Sequence, residues 1–332
     1  MNVAPRQLLL SAQTQAGLAA ELQPLLQGTG VEVVTLEAAA TAEHVQVDAA
    51  FISRDITGLS LKHVVLQELA ACYRVLRRSP QLSWVHTHSA GADRPIYAEL
   101  MARGVAVSTS SGANAGVVAQ TAVAGLLALS RRFPQLMAAQ ARREWAPLMA
   151  GPLPPDLAGQ TVVLLGWGPI AQRIQPVLAL LGLQVVVVRR TAEPAGPGIE
   201  TVAFTALHQV LPRAQWLLLA CPLTPQTQGL INAAALARLP PGAHVINVAR
   251  GEVAVESALV AALQGGHLGG AFLDVFEHEP LPAGSPLWGL PGVMVTPHSA
   301  GPSAGNAART AAIFVDKLRR WVHGPALHNR VV

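Results

Sequence analysis

The stretch Gly166-Trp167-Gly168-Pro169-Ile170-Ala171 constrains this chain more than any other. An apolar run, Thr161-Val162-Val163-Leu164-Leu165, precedes it. A helical pattern follows as far as Leu181-Gly182, and a second apolar run, residues 185–188, ends in Arg189-Arg190. Strand, glycine turn, helix, strand is the order of a dinucleotide-binding unit, and it commits the chain to a parallel sheet covered by helices. Gly166 lets the chain turn tightly. Gly168, without a side chain, lets backbone approach a pyrophosphate. Pro169 has the fixed φ of a first helical residue. Ala171 keeps helix and strand close. The amides of Ile170 and Ala171, unpaired at a helix N-terminus, are expected to meet the phosphates. A plain glycine turn with no nucleotide is the competing reading.

The end of the second strand bears on which nucleotide. An NAD site carries Asp or Glu there, accepting hydrogen bonds from the ribose. This chain has Arg189, Arg190 and Thr191 instead. A guanidinium binds a 2′-phosphate that a carboxylate would repel. The residues favour NADP(H), with NAD(H) as the second option. Arginines that merely solvate a strand end are the alternative.

With 332 residues, 51% hydrophobic and 13% charged, the chain is long and apolar enough for two cored domains and is not of disordered composition. It holds no apolar run of bilayer-spanning length. The apolar run near the N-terminus breaks at Ser11-Ala12-Gln13. It therefore reads as a first buried strand rather than a signal peptide, and a cytoplasmic location is the default expectation. Cys72 and Cys221 make neither a disulfide framework nor a metal cluster; Cys72 reads as a small buried hydrophobe. The formal charge of +4 comes without a dense Lys/Arg run interleaved with aromatics, so no nucleic-acid partner is expected. A modest positive balance suits an anionic substrate and cofactor.

Before the glycine motif, short apolar runs at residues 8–10, 31–34, 49–52, 84–86 and 105–107 alternate with helical patterns, among them 60–76 and 95–103. That alternation predicts a doubly wound parallel sheet. A single long helix is expected over about 116–141, buried between domains. Gly151-Pro152-Leu153-Pro154-Pro155 marks a break. Further strands are expected at 216–219, 244–247, 271–273 and 293–295. A last helix over about 304–321 is expected to return to the first sheet. The fold class is thus α/β: two Rossmann-like, doubly wound parallel-sheet domains with a cleft between them. The substrate-binding domain would comprise 1–112 and 300–332, and the dinucleotide-binding domain 113–299.

Three chemistry-bearing residues lie at or just past strand ends in the second half: Arg250 after Ile246-Asn247-Val248-Ala249, Glu279 in Asp274-Val275-Phe276-Glu277-His278-Glu279-Pro280, and His298 in Thr296-Pro297-His298. Ligands bind outside the carboxyl ends of parallel strands, so these three are candidates to converge. A structural His in a turn and a solvated Glu are the bland alternatives.

These phrases resemble the D-isomer-specific 2-hydroxyacid dehydrogenases. So do Ser110-Ser111-Gly112-Ala113-Asn114-Ala115 and Cys221-Pro222-Leu223-Thr224-Pro225, and the resemblance runs from the first strand to the last helix. It implies an oxidoreductase acting on CH–OH, commonly a homodimer. Arg250 would bind the substrate carboxylate and polarise the carbonyl. His298 would be the acid–base group, and Glu279 would orient it and favour its protonated form. The resemblance also implies cofactor contacts from Cys221, Pro222, Thr227 (to a phosphate), Val248, Ala249 and Asp274 (to the nicotinamide carboxamide). For substrate it implies the amides of Ala90, Gly91 and Ala92, with Arg54 facing the cleft and Trp288 at its rim; a surface ion pair for Arg54 and plain packing for Trp288 are the alternatives.

The chain departs from the family pattern in places. Gln120 stands where many relatives have Glu, and Cys221 where a His is frequent before Pro-Leu. Glu279 stands where the formate-oxidising branch has Gln, which argues against formate. The expected function is NADP(H)-dependent reduction of small 2-keto acids, of the glyoxylate/hydroxypyruvate class, to D-2-hydroxy acids, with no metal. The alternatives are a phosphoglycerate-type dehydrogenase, disfavoured by its usual use of NAD and by the lack of room for a regulatory domain, and a nucleotide-sensing, co-repressor-like interaction protein.

Overall fold

A computed structural model describes residues 5–42, 44–60, 64–324 and 326–331. The chain divides into two compact units: Met1–Asn114 with Ser303–Val332, and Ala115–Pro302. Each is a parallel sheet wrapped by helices.

In the first unit, strands β1 (Arg6–Leu10), β2 (Val31–Thr35), β3 (Ala49–Ile52), β4 (Trp84–Thr87) and β5 (Ala106–Thr109) lie in the order β2-β1-β3-β4-β5. Every pairing is parallel. Alternate residues of each strand serve opposite faces. Leu9, Ala50, Ile52 and Val85 pack against one helical layer. Leu8, Leu10, Phe51 and Trp84 pack against Phe314 and Leu318 of the last helix, Asn306–His323. That helix therefore belongs with the first sheet. The residues after it continue the sheet: Thr109 N donates to Asn329 O and Val331 N to Val107 O, with an antiparallel bridge between Ser108 and Arg330.

The second unit has seven parallel strands: β6 (Thr161–Leu165), β7 (Gln184–Arg189), β8 (Glu200–Ala203), β9 (Trp216–Leu219), β10 (Ala243–Asn247), β11 (Leu268–Leu273) and β12 (Val293–Val295). Their order is β12-β11-β10-β9-β6-β7-β8. The order reverses between β6 and β9, which is the switch point where doubly wound sheets bind ligands. Val163, Leu165, Leu217 and Leu219 face one apolar layer, and Val162, Leu164, Trp216 and Leu218 the other. Burial on both faces explains why these strands read as continuous apolar runs rather than alternating ones.

Three details differ from the sequence-based expectation. The single helix over 116–141 is two helices, Ala115–Ser130 and Phe133–Ala141, broken at Arg132, whose φ is +55°. Pro134 fits the break: it has no amide hydrogen to give and its ring would clash with the carbonyl of Ser130 in a continuous helix, so it sits in the first turn of a new one. The helix expected over 60–76 is Gln67–Arg77, while residues 61–63 lie outside the described residues. Strand β8 was not anticipated; it is an edge strand of half-exposed residues, so it lacks an apolar run. Among the described residues no helix is long and apolar enough to cross a membrane.

Candidate active site

The glycine turn lies at the switch point of the second sheet. Gly166 has φ +104°, and a Cβ there would lie 2.7 Å from Ala220 O, so only glycine fits between β6 and the end of β9. At Gly168 a Cβ would meet nothing within 4 Å; the space above it is open. Pro169 starts the helix Pro169–Leu180, whose first turn has neither a side-chain cap nor an acidic residue. Gln172 is the first residue to donate back, to Gly168 O at 3.1 Å, which leaves the amides of Ile170 and Ala171 without an intrahelical acceptor. An open approach, uncapped amides and no local carboxylate fit the pyrophosphate of a dinucleotide. Ala171 is fully buried beneath the turn.

Arg189 ends β7, with Arg190 and Thr191 exposed beyond it. Its guanidinium lies 3.3 Å from a carboxylate oxygen of Glu193, on the surface. Cys221 is buried, and burial pushes its thiol up to about 12, so it is a packing residue with no thiolate chemistry at neutral pH. Pro222 is exposed beside it. Thr227, expected at a phosphate, lies in the loop that follows Cys221. Its side chain is 1% exposed, its hydroxyl donates to Pro222 O at 2.7 Å, and it accepts from Thr224 N at 2.8 Å. The hydroxyl is consumed in bracing its own loop. Val248 and Ala249 turn buried side chains inward and offer only backbone.

Arg250, Glu279 and His298 follow three neighbouring strands, β10, β11 and β12. These pair in register, Asn247 with Leu273 and Leu273 with Val295, so all three loops leave the same edge of the sheet. His298 Nδ1 and Glu279 Oε2 are 2.8 Å apart, and Phe276 N donates to Glu279 Oε1 at 3.2 Å. Burial alone pushes the Glu279 carboxyl up. The hydrogen bond and charge of His298, the Phe276 amide and the Arg250 guanidinium outweigh it and hold the group below its ordinary value. Glu279 is thus an ionised acceptor at neutral pH, and His298 Nδ1 carries a proton toward it. Nε2 is the nitrogen left to face a ligand, on a side chain 48% exposed.

Three buried histidines are unsuited to proton donation at neutral pH. Burial and neighbouring cations push His86 down to about 3, and His88 and His244 to about 4.

Two further contacts, not foreseen from the sequence, fix the Arg250 turn. Asn247, 2% exposed, donates from Nδ2 to Arg250 O (3.1 Å) and accepts from Ala249 N (3.0 Å). Gly251 lies so close to the next loop that a Cβ would stand 1.9 Å from the Phe276 carbonyl carbon. Glu256 and Glu277 then exchange carboxylate–amide hydrogen bonds, Glu256 N to Glu277 Oε1 (2.9 Å) and Glu277 N to Glu256 Oε2 (3.1 Å). The visible signal for Asn247 was a polar residue closing an apolar strand. The two glutamates gave no sequence signal.

Asp274 is buried, and its carboxylate is occupied by donors from the His298 turn. The side chain expected at the nicotinamide carboxamide is therefore engaged inside the protein. Trp288 is 54% exposed in the β11–β12 loop, with Nε1 donating to Pro282 O at 3.0 Å.

In the first unit, Arg54 is exposed just after β3, and the loop His88-Ser89-Ala90-Gly91-Ala92 follows β4. Among the described residues the amides of Ala90, Gly91 and Ala92 have no hydrogen-bond acceptor. Ser89 shapes the loop by donating to Gly91 O at 2.6 Å. Burial, and after it the charges of Arg54 and Arg94, depress the His88 pKa, with Asp55 opposing them.

Residues 123–300 match the NAD-binding domain of the D-isomer-specific 2-hydroxyacid dehydrogenases. The chain belongs to that family. It is similar to D-3-phosphoglycerate dehydrogenase of Mycobacterium tuberculosis, 34% identical over 257 residues, covering 77% of this chain and 48% of that protein. It thus spans about half the length of that relative. The whole fold resembles a D-isomer-specific 2-hydroxyacid dehydrogenase from Xanthobacter autotrophicus solved in complex with NADPH and MES, at 31% identity and a TM-score of 0.76, over 99% of this chain and 98% of that one. It also resembles an NADPH-dependent glyoxylate/hydroxypyruvate reductase from Sinorhizobium meliloti solved with NADP and sulfate, at 27% identity and a TM-score of 0.75, over 99% and 98% of the two chains.

Gly251→Ala should be the most damaging small substitution near the site. The clash is with backbone, which cannot rotate away, so the expected cost is about 1–3 kcal/mol or more. Denaturant unfolding should show the loss, and an unchanged midpoint would rule out the close contact.

Proposed function

We propose that this chain is an NADP(H)-dependent reductase of small 2-keto acids, of the glyoxylate/hydroxypyruvate class, yielding D-2-hydroxy acids. One observation carries the reading: an exposed imidazole held at 2.8 Å by an ionised, partly buried carboxylate, with an arginine beside them at the same sheet edge. Arg250 grips the carboxylate of the keto acid with a planar fork of donors and draws electron density from the adjacent carbonyl. A bound reduced nicotinamide supplies the hydride. His298 delivers a proton from Nε2 to the carbonyl oxygen, and Glu279 stabilises the imidazolium and keeps Nε2 aimed outward. In the oxidative direction the neutral imidazole takes the hydroxyl proton. Within the first unit, the amides of Ala90, Gly91 and Ala92 and the guanidinium of Arg54 are an anion-binding set of their own.

The cofactor preference rests on Arg189, Arg190 and Thr191 where an NAD site has an acid. The Arg189–Glu193 pair is a surface one, worth about 0–1 kcal/mol, so a 2′-phosphate displaces Glu193 readily. NADP(H)-bound relatives support the same reading.

The second reading, a phosphoglycerate-type dehydrogenase, is favoured by the mycobacterial relative and is an arm of the same test. A homodimer in the cytoplasm completes the proposal. The segment from Phe133 to Leu153 supports self-association, since it exposes Met137, Trp145 (96% exposed), Met149 and Leu153.

The test is turnover of glyoxylate, hydroxypyruvate and phosphohydroxypyruvate with each reduced cofactor. Fastest turnover of either unphosphorylated acid with NADPH is expected; tight NADPH binding without turnover of any keto acid would point to an interaction protein. His298→Ala should lower kcat by about 10²–10⁴-fold while NADPH affinity holds. Retained kcat removes His298 from the chemistry. Arg189→Asp should move the kcat/KM preference toward NADH, and equal use of both cofactors by the native protein would defeat that assignment. Sedimentation at micromolar concentration should give twice the chain mass; a monomer would refute the dimer.

A further inference from the structure

His298 sits in backbone geometry that few side chains tolerate. Its φ is +50°, in the left-handed region that L residues other than glycine seldom adopt. Such a conformation persists only where its surroundings over-determine it. Here the surroundings are largely one residue. Asp274, 2% exposed at the end of β11, accepts from Thr296 Oγ1 at 2.6 Å and from Ser299 N at 2.7 Å through Oδ1. Ala300 N donates to both carboxylate oxygens at 3.0 Å. The Asp274 backbone adds a fourth tie, because its carbonyl accepts from His298 N at 2.8 Å. One residue therefore binds the turn two positions before His298, at His298, and one and two positions after it. Its own amide donates to Asn247 O at 3.0 Å, and Asn247 holds the Arg250 turn through Arg250 O.

We infer that Asp274 is the positioning residue of His298: its buried carboxylate pins the turn of residues 296–300 so that Nδ1 stays on Glu279 and Nε2 points at the substrate. The claim rests on the reading of His298 as the proton donor. It differs from a contact with the cofactor amide, because the three donors on the carboxylate, Thr296 Oγ1, Ser299 N and Ala300 N, belong to the protein itself. A carboxylate is suited to this work, being acceptor-only and able to take several N–H and O–H groups at once. In an asparagine an NH2 replaces one oxygen, so the Ala300 amide that now bonds both oxygens would meet a donor on one side.

A double-mutant cycle tests it. Asp274→Asn in the full-length protein should lower kcat by about 10–100-fold, the scale expected for a misplaced catalytic group, while the dissociation constant for NADPH, measured by fluorescence titration, changes little. In a His298→Ala background the same change should have almost no effect on residual turnover, because no imidazole remains to be positioned. Thr296→Val removes one donor at a half-exposed site without disturbing the fold, and should lower kcat in the same direction by a smaller factor; it decides the matter if Asp274→Asn does not fold. A cofactor analogue bearing an acetyl group in place of the carboxamide separates the two roles further. The loss caused by Asp274→Asn persists with the analogue if Asp274 holds His298, and disappears if it holds the carboxamide. An equal fold-loss in both backgrounds, or no loss from Thr296→Val, overturns the inference. If His298→Ala alone leaves kcat intact, it is instead the assignment of the proton donor that fails.

Discussion

Parallel register across β10, β11 and β12 is the constraint on which the site depends. Asn247, Leu273 and Val295 end their strands at one level. The residues that follow therefore leave the sheet together, and a functional group a few positions along each loop arrives near the other two. A slip of one strand by a single residue would turn every side chain to the opposite face. It would move buried Ile246 or Phe272 out of the apolar layer shared with Leu164 and Leu218. Full burial of both sheet faces thus protects the alignment of the loops that carry Arg250, Glu279 and His298.

The loops themselves are held by polar contacts of a different kind. Asn247 secures the turn at Arg250, Asp274 the turn at His298, and Glu256 with Glu277 the start of the loop that carries Glu279. Gly251 lets two backbones touch between them. Buried polar groups are costly unless satisfied, and fully satisfied ones define a single geometry. The carboxylates and amide at these strand ends each replace water with backbone donors or acceptors. Proton transfer needs that rigidity, because donor and acceptor must meet within hydrogen-bond distance.

Much of this was legible in the sequence, for identifiable reasons. Continuous apolar runs marked the buried strands, and the glycine turn marked the switch point. The three chemistry-bearing side chains announced themselves as charged or titratable residues just past strand ends. Less visible were features whose cause is non-local. Strand β8 has no apolar run because it lies at an edge. The helix break at Arg132 depended on one proline. Thr227 and Asp274 read as ligand contacts, yet each is satisfied by its own surroundings, Thr227 by Pro222 O and Asp274 by Thr296, Ser299 and Ala300. Sequence shows that a residue can form hydrogen bonds; only the fold shows where its bonds have gone.

The electrostatics divide along the same line. Glu279 is shielded, keeps its charge through His298, Phe276 and Arg250, and must be ionised for His298 to be oriented. His86, His88 and His244 are held neutral mainly by burial. Arg189 is treated differently: its partner Glu193 is a surface side chain, 71% exposed, and their attraction is screened by solvent. That contrast has a physical rationale. A group that moves a proton needs one fixed geometry, which burial and backbone contacts provide. A group that distinguishes one nucleotide from another needs only a charge of the right sign that a phosphate can claim, and a weak, replaceable surface pair leaves that charge accessible.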